Sequence, residues 1–292
     1  MKAAPFEYVR AESLDHACQM LVQHGDEAKL IAGGQSLVPM LAMRLLAPAW
    51  LVDIHGLSEL QQIAIAEDQL VIGAAVRQCV ADADPRLNSA VPLLSRALHW
   101  VGHAATRNRG TVGGSLAHAD PSAELALSAA LLEATLTLRS ERGSRQVAAG
   151  DFLIGPMMTC LEADECLLEV RFPIWQEART GSAFEEISAR HGDFAIVSAA
   201  AQVGVDQTGR CTRAALAIGG AGPSALAFND LARRLVGTRL EDGLLRDLAQ
   251  QVAAKVEPTS DLQASAAYRH HLAGVLAERA LLGAKRDAGL SS

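Results

Sequence analysis

Two stretches, Ile31-Ala32-Gly33-Gly34-Gln35-Ser36-Leu37 and Arg109-Gly110-Thr111-Val112-Gly113-Gly114-Ser115-Leu116-Ala117, echo one another across the chain. Each has an extended apolar lead, two adjacent glycines and a closing hydroxyl, and each is followed by a predicted helix. Paired glycines let backbone come close to a ligand and can turn several amide N–H groups toward one point. A serine hydroxyl adds a further donor. Two such nests could clamp the two phosphates of a dinucleotide; alternatively, both are ordinary turns whose glycines serve tight packing. The usual nucleotide fingerprints are missing. There is no G-x-x-x-x-G-K-[ST], and no G-x-G-x-x-G follows a predicted strand, which disfavours a P-loop or Rossmann fold. Gly220-Ala221-Gly222 runs into Pro223 and suits a hairpin loop better than a phosphate cradle.

Around the first loop, Ser13–His24 reads as a helix with Leu14, Ala17, Leu21 and Val22 on one face, and Lys29–Ala32 as a short buried strand. Leu37–Leu46 is apolar and closes before Pro48, and Trp50–Ile54 is a second strand. Gln69–Ala75 points to an antiparallel pair. Val91–Thr106 reads as one amphipathic helix, and Thr111–Ser115 as a strand-like turn. Asp120 caps a helix that has Pro121 at its first position and runs through Leu132. Strands near Thr135–Arg139 and Cys166–Phe172 close this half. The pattern shifts at Pro173–Thr180. Beyond it come three strands, Ser182–Ser188, Ile196–Val205 and Arg213–Ile218, and then helices near Asn229–Leu235, Glu241–Val256 and Ala264–Gly283. Strands first and helices after mark a separate α+β domain. The boundary is expected near 176, giving domains 1–176 and 177–292.

The 292 residues are 50% hydrophobic and 20% charged with net charge −7, which fits two globular domains and gives no electrostatic reason to expect nucleic acid. No apolar run approaches the ~20 residues needed to span a bilayer. The first residues lack a signal core, so a cytoplasmic location is expected. Five cysteines, at 18, 79, 160, 166 and 211, make no Cys-x-x-Cys and no disulfide framework. Nor can they supply the four clustered thiolates that an iron–sulfur cluster of the cubane or plant type requires. His99 and His103 stand i, i+4 on the predicted helix, a chelating spacing, but no third ligand or H-E-x-x-H accompanies them, and no metal is expected. His118, between the second loop and Asp120, could touch a ligand or shape the start of a helix. No G-x-S-x-G elbow supports Ser36 or Ser115 as a nucleophile, and no catalytic residue is assigned.

Taken together, the two loops resemble the FAD loops of one family, the flavoprotein (medium) subunit of the molybdenum hydroxylases, typified by xanthine dehydrogenase and aerobic carbon monoxide dehydrogenase. The resemblance continues through Asp120-Pro121-Ser122-Ala123-Glu124, Arg190-His191-Gly192-Asp193-Phe194-Ala195, and Ser260-Asp261 with Ala267-Tyr268-Arg269. It implies an α+β fold: a two-subdomain FAD-binding region of the PCMH/VAO type, followed by a three-stranded antiparallel sheet and a helical bundle. It also implies non-covalent FAD held by Lys29, Leu30, Ile31, Ala32, Gly33, Gly34, Gln35 and Ser36 and by Thr111, Val112, Gly113, Gly114 and Ser115, with Glu124 beside the cofactor. A related segment often carries a lysine near the flavin. Here Ser182-Ala183-Phe184-Glu185-Glu186 has two glutamates instead, leaving Arg190 as a candidate cation. The implied function is electron transfer. FAD takes electrons from [2Fe–2S] clusters of a small partner, a large molybdopterin subunit oxidises the substrate, and the assembly is a dimer of heterotrimers. The alternatives are a stand-alone FAD oxidase or reductase of the same fold, and a non-enzymatic nucleotide-binding scaffold.

Overall fold

A computed structural model describes residues 2–290. The first domain contains β1 (Glu7–Arg10), α1 (Leu14–His24), β2 (Ala28–Ile31), α2 (Leu37–Ala42), β3 (Trp50–Asp53), β4 (Ile63–Ala66) and β5 (Gln69–Gly73). Next come α3 (Gln78–Ala83), α4 (Pro85–Ala90), α5 (Pro92–Leu98), α6 (Ala104–Arg107), α7 (Val112–His118) and α8 (Glu124–Leu131). The domain finishes with β6 (Thr135–Ser140), β7 (Gly143–Ala148), α9 (Ala149–Phe152), β8 (Leu153–Gly155), β9 (Met158–Thr159) and β10 (Cys166–Pro173). The second domain contains β11 (Arg179–Ser188), β12 (Ala195–Val205), β13 (Cys211–Gly219), β14 (Leu226–Ala227), α10 (Asn229–Ala232), α11 (Asp242–Ala253) and α12 (Ala266–Asp287).

The first domain is built on two sheets. A small parallel sheet has the order β1-β3-β2, with Ile31 beside Asp53 at the carboxyl ends. An antiparallel sheet has the order β4-β5-β10-β6-β7. Helix α1 starts at Ser13, whose side chain accepts from the His16 N–H, and it buries Leu14, Ala17, Cys18, Met20 and Leu21. The predicted apolar face is thereby corrected at Val22, which is half exposed. β1 and β7 are edge strands with mixed, largely exposed residues, so neither carries an alternating pattern that periodicity could detect.

Three other readings are corrected. Val91–Thr106 is two helices: α5 ends at Leu98, and Gly102 turns the chain with φ +46° before α6. His99 and His103 therefore flank separate helices and present no i, i+4 chelating face. Thr111–Ser115 is the start of α7, not a strand-like turn, because the Thr111 hydroxyl accepts from the Gly114 N–H and caps it. Asp120 does not cap α8. Its carboxylate accepts from Ser122 N–H in a local turn, and the helix begins at Glu124.

In the second domain β11, β12 and β13 pair antiparallel as expected, and the two-residue β14 adds a fourth strand. α11 and α12 cover one face through Leu248, Val252, Leu272, Leu276 and Ala280. The opposite face, through Phe184, Ala200, Ala215 and Ala217, joins the core of the first domain. α8 lies between, with all eight residues buried. Gly220 N–H donates to Pro121 O just before α8, and the Asn229 side-chain Nδ2 donates to Leu131 O at its end, so one backbone and one side-chain bond tie the α8 segment to the second domain.

Candidate functional site

The first glycine loop leaves the carboxyl end of β2, where parallel sheets place ligands. Its amides stand apart from the hydrogen bonding of the fold. Among the described residues, the N–H groups of Gly33, Gly34, Gln35 and Ser36 find no acceptor in the chain. Unpaired backbone donors of this kind are met by water or by a ligand. Ser36 stands at the head of α2, yet its hydroxyl makes no capping bond and is free to donate. Gly34 has φ +69°, a conformation L side chains adopt at a cost. Lys29 is exposed on β2 and Leu30 is half-buried, with Leu30 and Ala32 packed on the α1 side.

The second loop is built differently. Val112 N–H donates to Val76 O, Gly113 N–H to Ala74 O, Gly114 N–H to Thr111 Oγ1 and Ser115 N–H to Thr111 O. Its amides are consumed internally, so the expected second amide nest is absent. What it offers outward is a surface: Gly114 is exposed, and a side-chain carbon there would meet nothing nearer than the Thr111 hydroxyl at 2.7 Å. The half-buried Ser115 follows.

The packing role of the glycines is equally concrete. A Cβ on Gly113 would lie 2.5 Å from Ala74 Cα, so this glycine lets α7 sit against the end of β5. A Cβ on Gly33 would lie 2.2 Å from Arg109 O and 2.8 Å from Gly110 Cα. The two loops, nearly eighty residues apart in sequence, therefore touch backbone to backbone. In each pair one glycine serves packing (Gly33, Gly113), and the other faces outward or holds a left-handed turn (Gly114, Gly34). Residues not singled out from sequence complete this junction: Gln78 N–H donates to Gly110 O, Arg77 bridges Thr111, and Arg77 Nη2 lies 2.6 Å from His55 Nε2.

Glu124 opens α8 only six residues after α7 ends, and burial raises its carboxyl to about 7, with Asp120 adding a like charge. Glu186 lies on the second domain's sheet; burial raises it to about 8, and Glu124 adds to the shift. Arg190 is not positioned as a buried cation, since its side chain is 87% exposed and pairs with Asp193 at 3.4 Å. The neighbouring loop leans on the first domain: His191 packs tilted on Trp100, and Gly192 lies against the His103 ring. All five cysteines are free, and burial pushes the Cys166 thiol up to about 12, an inert core residue. Among the described residues no three His, Cys, Asp or Glu side chains gather as a metal site.

A parallel layer that delivers a donor-rich glycine loop onto a second glycine loop is an arrangement suited to proteins that bind a dinucleotide through its diphosphate. Comparison with known proteins narrows the class. Residues 4–175 match the family described as the FAD binding domain in molybdopterin dehydrogenase, and residues 182–284 match the CO dehydrogenase flavoprotein C-terminal domain. The 6-hydroxypseudooxynicotine dehydrogenase complex subunit alpha of Paenarthrobacter nicotinovorans is 36% identical, with 96% of this chain and 95% of that one covered. The carbon monoxide dehydrogenase medium chain of Hydrogenophaga pseudoflava is 33% identical, with 94% and 96% covered. Among solved structures, quinoline 2-oxidoreductase from Pseudomonas putida 86 superposes with a TM-score of 0.93 at 39% identity, over 99% of both chains. Carbon monoxide dehydrogenase from Hydrogenophaga pseudoflava gives 0.94 at 33% identity, over 98% of this chain and 99% of that one. The chain belongs to the FAD-binding medium-subunit family of the molybdopterin dehydrogenases.

Proposed function

We propose that this chain is the FAD-carrying electron-transfer subunit of a molybdenum hydroxylase complex. In this reading its FAD takes electrons from [2Fe–2S] clusters of a small partner and passes them to an external acceptor. A large molybdopterin partner oxidises the substrate, and the assembly is a dimer of heterotrimers. The observation that carries the reading is the first loop: four unpartnered amides and a free Ser36 hydroxyl, with no side chain on Gly33 or Gly34, laid against a second glycine surface. Related proteins named as a medium chain and as a complex subunit support the place of the chain in a larger assembly. The free cysteines support a reducing, cytoplasmic location.

Bound FAD supplies two-electron storage and release. The chain's own residues bind and orient it. The Gly33, Gly34, Gln35 and Ser36 amides and the Ser36 hydroxyl would hold the diphosphate, and Lys29 and Leu30, which lead into the loop, would line the ribityl or adenine portion. Residues 111–115 would form the opposite wall, with Gly114 presenting no side chain and Ser115 a hydroxyl donor. Glu124, at the start of α8, would be the acidic residue near the cofactor. No residue of this chain acts as acid or base on the organic substrate.

The test is stoichiometric. Purified protein denatured with acid should release about one FAD per chain into the supernatant. Colour retained by the precipitated polypeptide contradicts non-covalent binding, and no flavin in either fraction after loading with FAD contradicts the reading.

A further inference from the structure

The two faces of the second domain's sheet can be read from β12, which is buried along its whole length. Val197, Ala199, Ala201 and Val203 pack toward α11 and α12, whereas Ala200 joins Phe184, Ala215 and Ala217 in the core of the first domain. By the two-residue period of a strand, Glu186 follows Phe184 onto this inward face, and Ser198 precedes Ala200 on it. Register agrees, because Glu186 and Ser198 are direct cross-strand partners.

A carboxylate therefore enters an apolar seam between the domains. Glu186 is 5% exposed, and neither of its oxygens has a hydrogen-bond partner. Ser198, opposite it, is fully buried, and its hydroxyl is also unpartnered. The first-domain element packed on this face is α8: a Cβ at Gly219 would lie 2.6 Å from Ser198 Oγ, 3.4 Å from Pro121 O and 3.5 Å from Leu127 Cδ2, so the head of α8, with Glu124 at 8% exposure, stands over the Glu186–Ser198 pair. Among the described residues no cation is bonded to either carboxylate. Asp120 is a like charge on Glu124. Arg269 donates to Ile196 O, Gly220 O and Asp261; Arg96 donates to Ser182 and Asp287. Arg190 is exposed and paired with Asp193, and His191 packs on Trp100. Glu185 points to the other side of its strand.

We propose that Glu124 and Glu186 form one proton-holding pair across the domain seam, which takes up a proton from solvent when negative charge arrives beside it. Two carboxylates in apolar surroundings cannot both ionise cheaply, so the pair keeps a proton near neutrality and titrates as a unit. Its link to the cofactor rests on the FAD reading above. Were FAD held as proposed, its reduction by two electrons would bring negative charge near Glu124, and a proton from solvent would form one carboxyl O–H on the pair. No other bond in the protein changes, and the electrons remain on the cofactor.

Two experiments separate the pair from the FAD reading. The first needs no cofactor: infrared difference spectra of the apo-protein between about pH 5 and pH 9. They should show a deuterium-sensitive protonated-carboxyl band that persists at neutral pH, is weaker and titrates at lower pH in E186Q, where only Glu124 remains, and titrates at lower pH in E124Q. A spectrum at neutral pH identical in wild type and E186Q overturns the pair. The second measures proton uptake with an indicator dye during photochemical reduction of FAD-loaded protein. Wild type should take up more protons per two electrons than E186Q at about pH 8, and the two should converge at about pH 5. Equal uptake throughout overturns the coupling. Failure to load FAD overturns the FAD reading, and the infrared result still decides the pair.

Discussion

At the residue scale, the glycines that look alike in sequence differ in what a side chain would meet. Gly33→Ala drives a methyl into the Arg109 carbonyl, so it should cost about 1–3 kcal/mol and lose FAD together with stability. Gly114→Val meets no backbone, only the capping Thr111 hydroxyl at 2.7 Å, so it should lose FAD with a stability cost near that of the cap, about 1 kcal/mol, and a smaller drop in melting temperature. Paired thermal melts and flavin content check this; equal losses of stability in both variants contradict the division of labour between the glycines. The seam acids make a second prediction. Their folded-state pKa values, about 7 for Glu124 and about 8 for Glu186, lie above the ordinary value of about 4.3. The folded state therefore binds more protons, and the stability it has below about pH 4 is lost as pH rises through 7 and 8. Denaturant unfolding should show E186Q gaining on wild type between pH 5 and 8. Parallel pH profiles contradict it.

At the scale of elements, the two loop hydroxyls separate structure from binding. Thr111 caps α7 through the Gly114 amide, so Thr111→Ala should cost about 1 kcal/mol even without cofactor. Ser36 caps nothing, so Ser36→Ala should leave apo stability unchanged within about 0.5 kcal/mol and weaken FAD affinity. Unfolding curves of apo-proteins beside FAD titrations test both. The same contrast explains what could be read from sequence. α1, β2, β3 and the long strands β11–β13 carry strong periodicity or apolar runs and were legible. The edges β1 and β7 lack such a pattern. The break between α5 and α6 depends on one left-handed Gly102 inside an otherwise helical pattern. The glycine pairs pointed to two loops that meet backbone to backbone, yet their composition could not show that the second loop's amides close on Val76, Ala74 and Thr111. The contribution of Gln78, Arg77 and His55 arises from strand order and left no local signal.

For the whole molecule, the two domains share a core rather than a linker. α8 is buried on every side, and Phe184, Ala200, Ala215 and Ala217 of the second domain complete its packing. A chain cut after Pro173 should therefore expose apolar surface and aggregate or melt well below the intact protein, which light scattering and calorimetry report. A truncated form that melts like the intact chain contradicts the shared core. The family's solved relatives superpose over both domains, in keeping with one unit. That unit offers two glycine loops, no gathered metal ligands among its described residues and five scattered free thiols. The family match and the two loops support the proposal that this chain stores electrons on FAD while partners oxidise the substrate. Anaerobic absorbance of the FAD-loaded chain tests this claim most directly. Dithionite should bleach the flavin band at once, while N-heterocycles, purines, aldehydes or carbon monoxide should leave it untouched until iron–sulfur and molybdenum partners are added. Rapid bleaching of the lone chain by a small organic substrate would contradict the account.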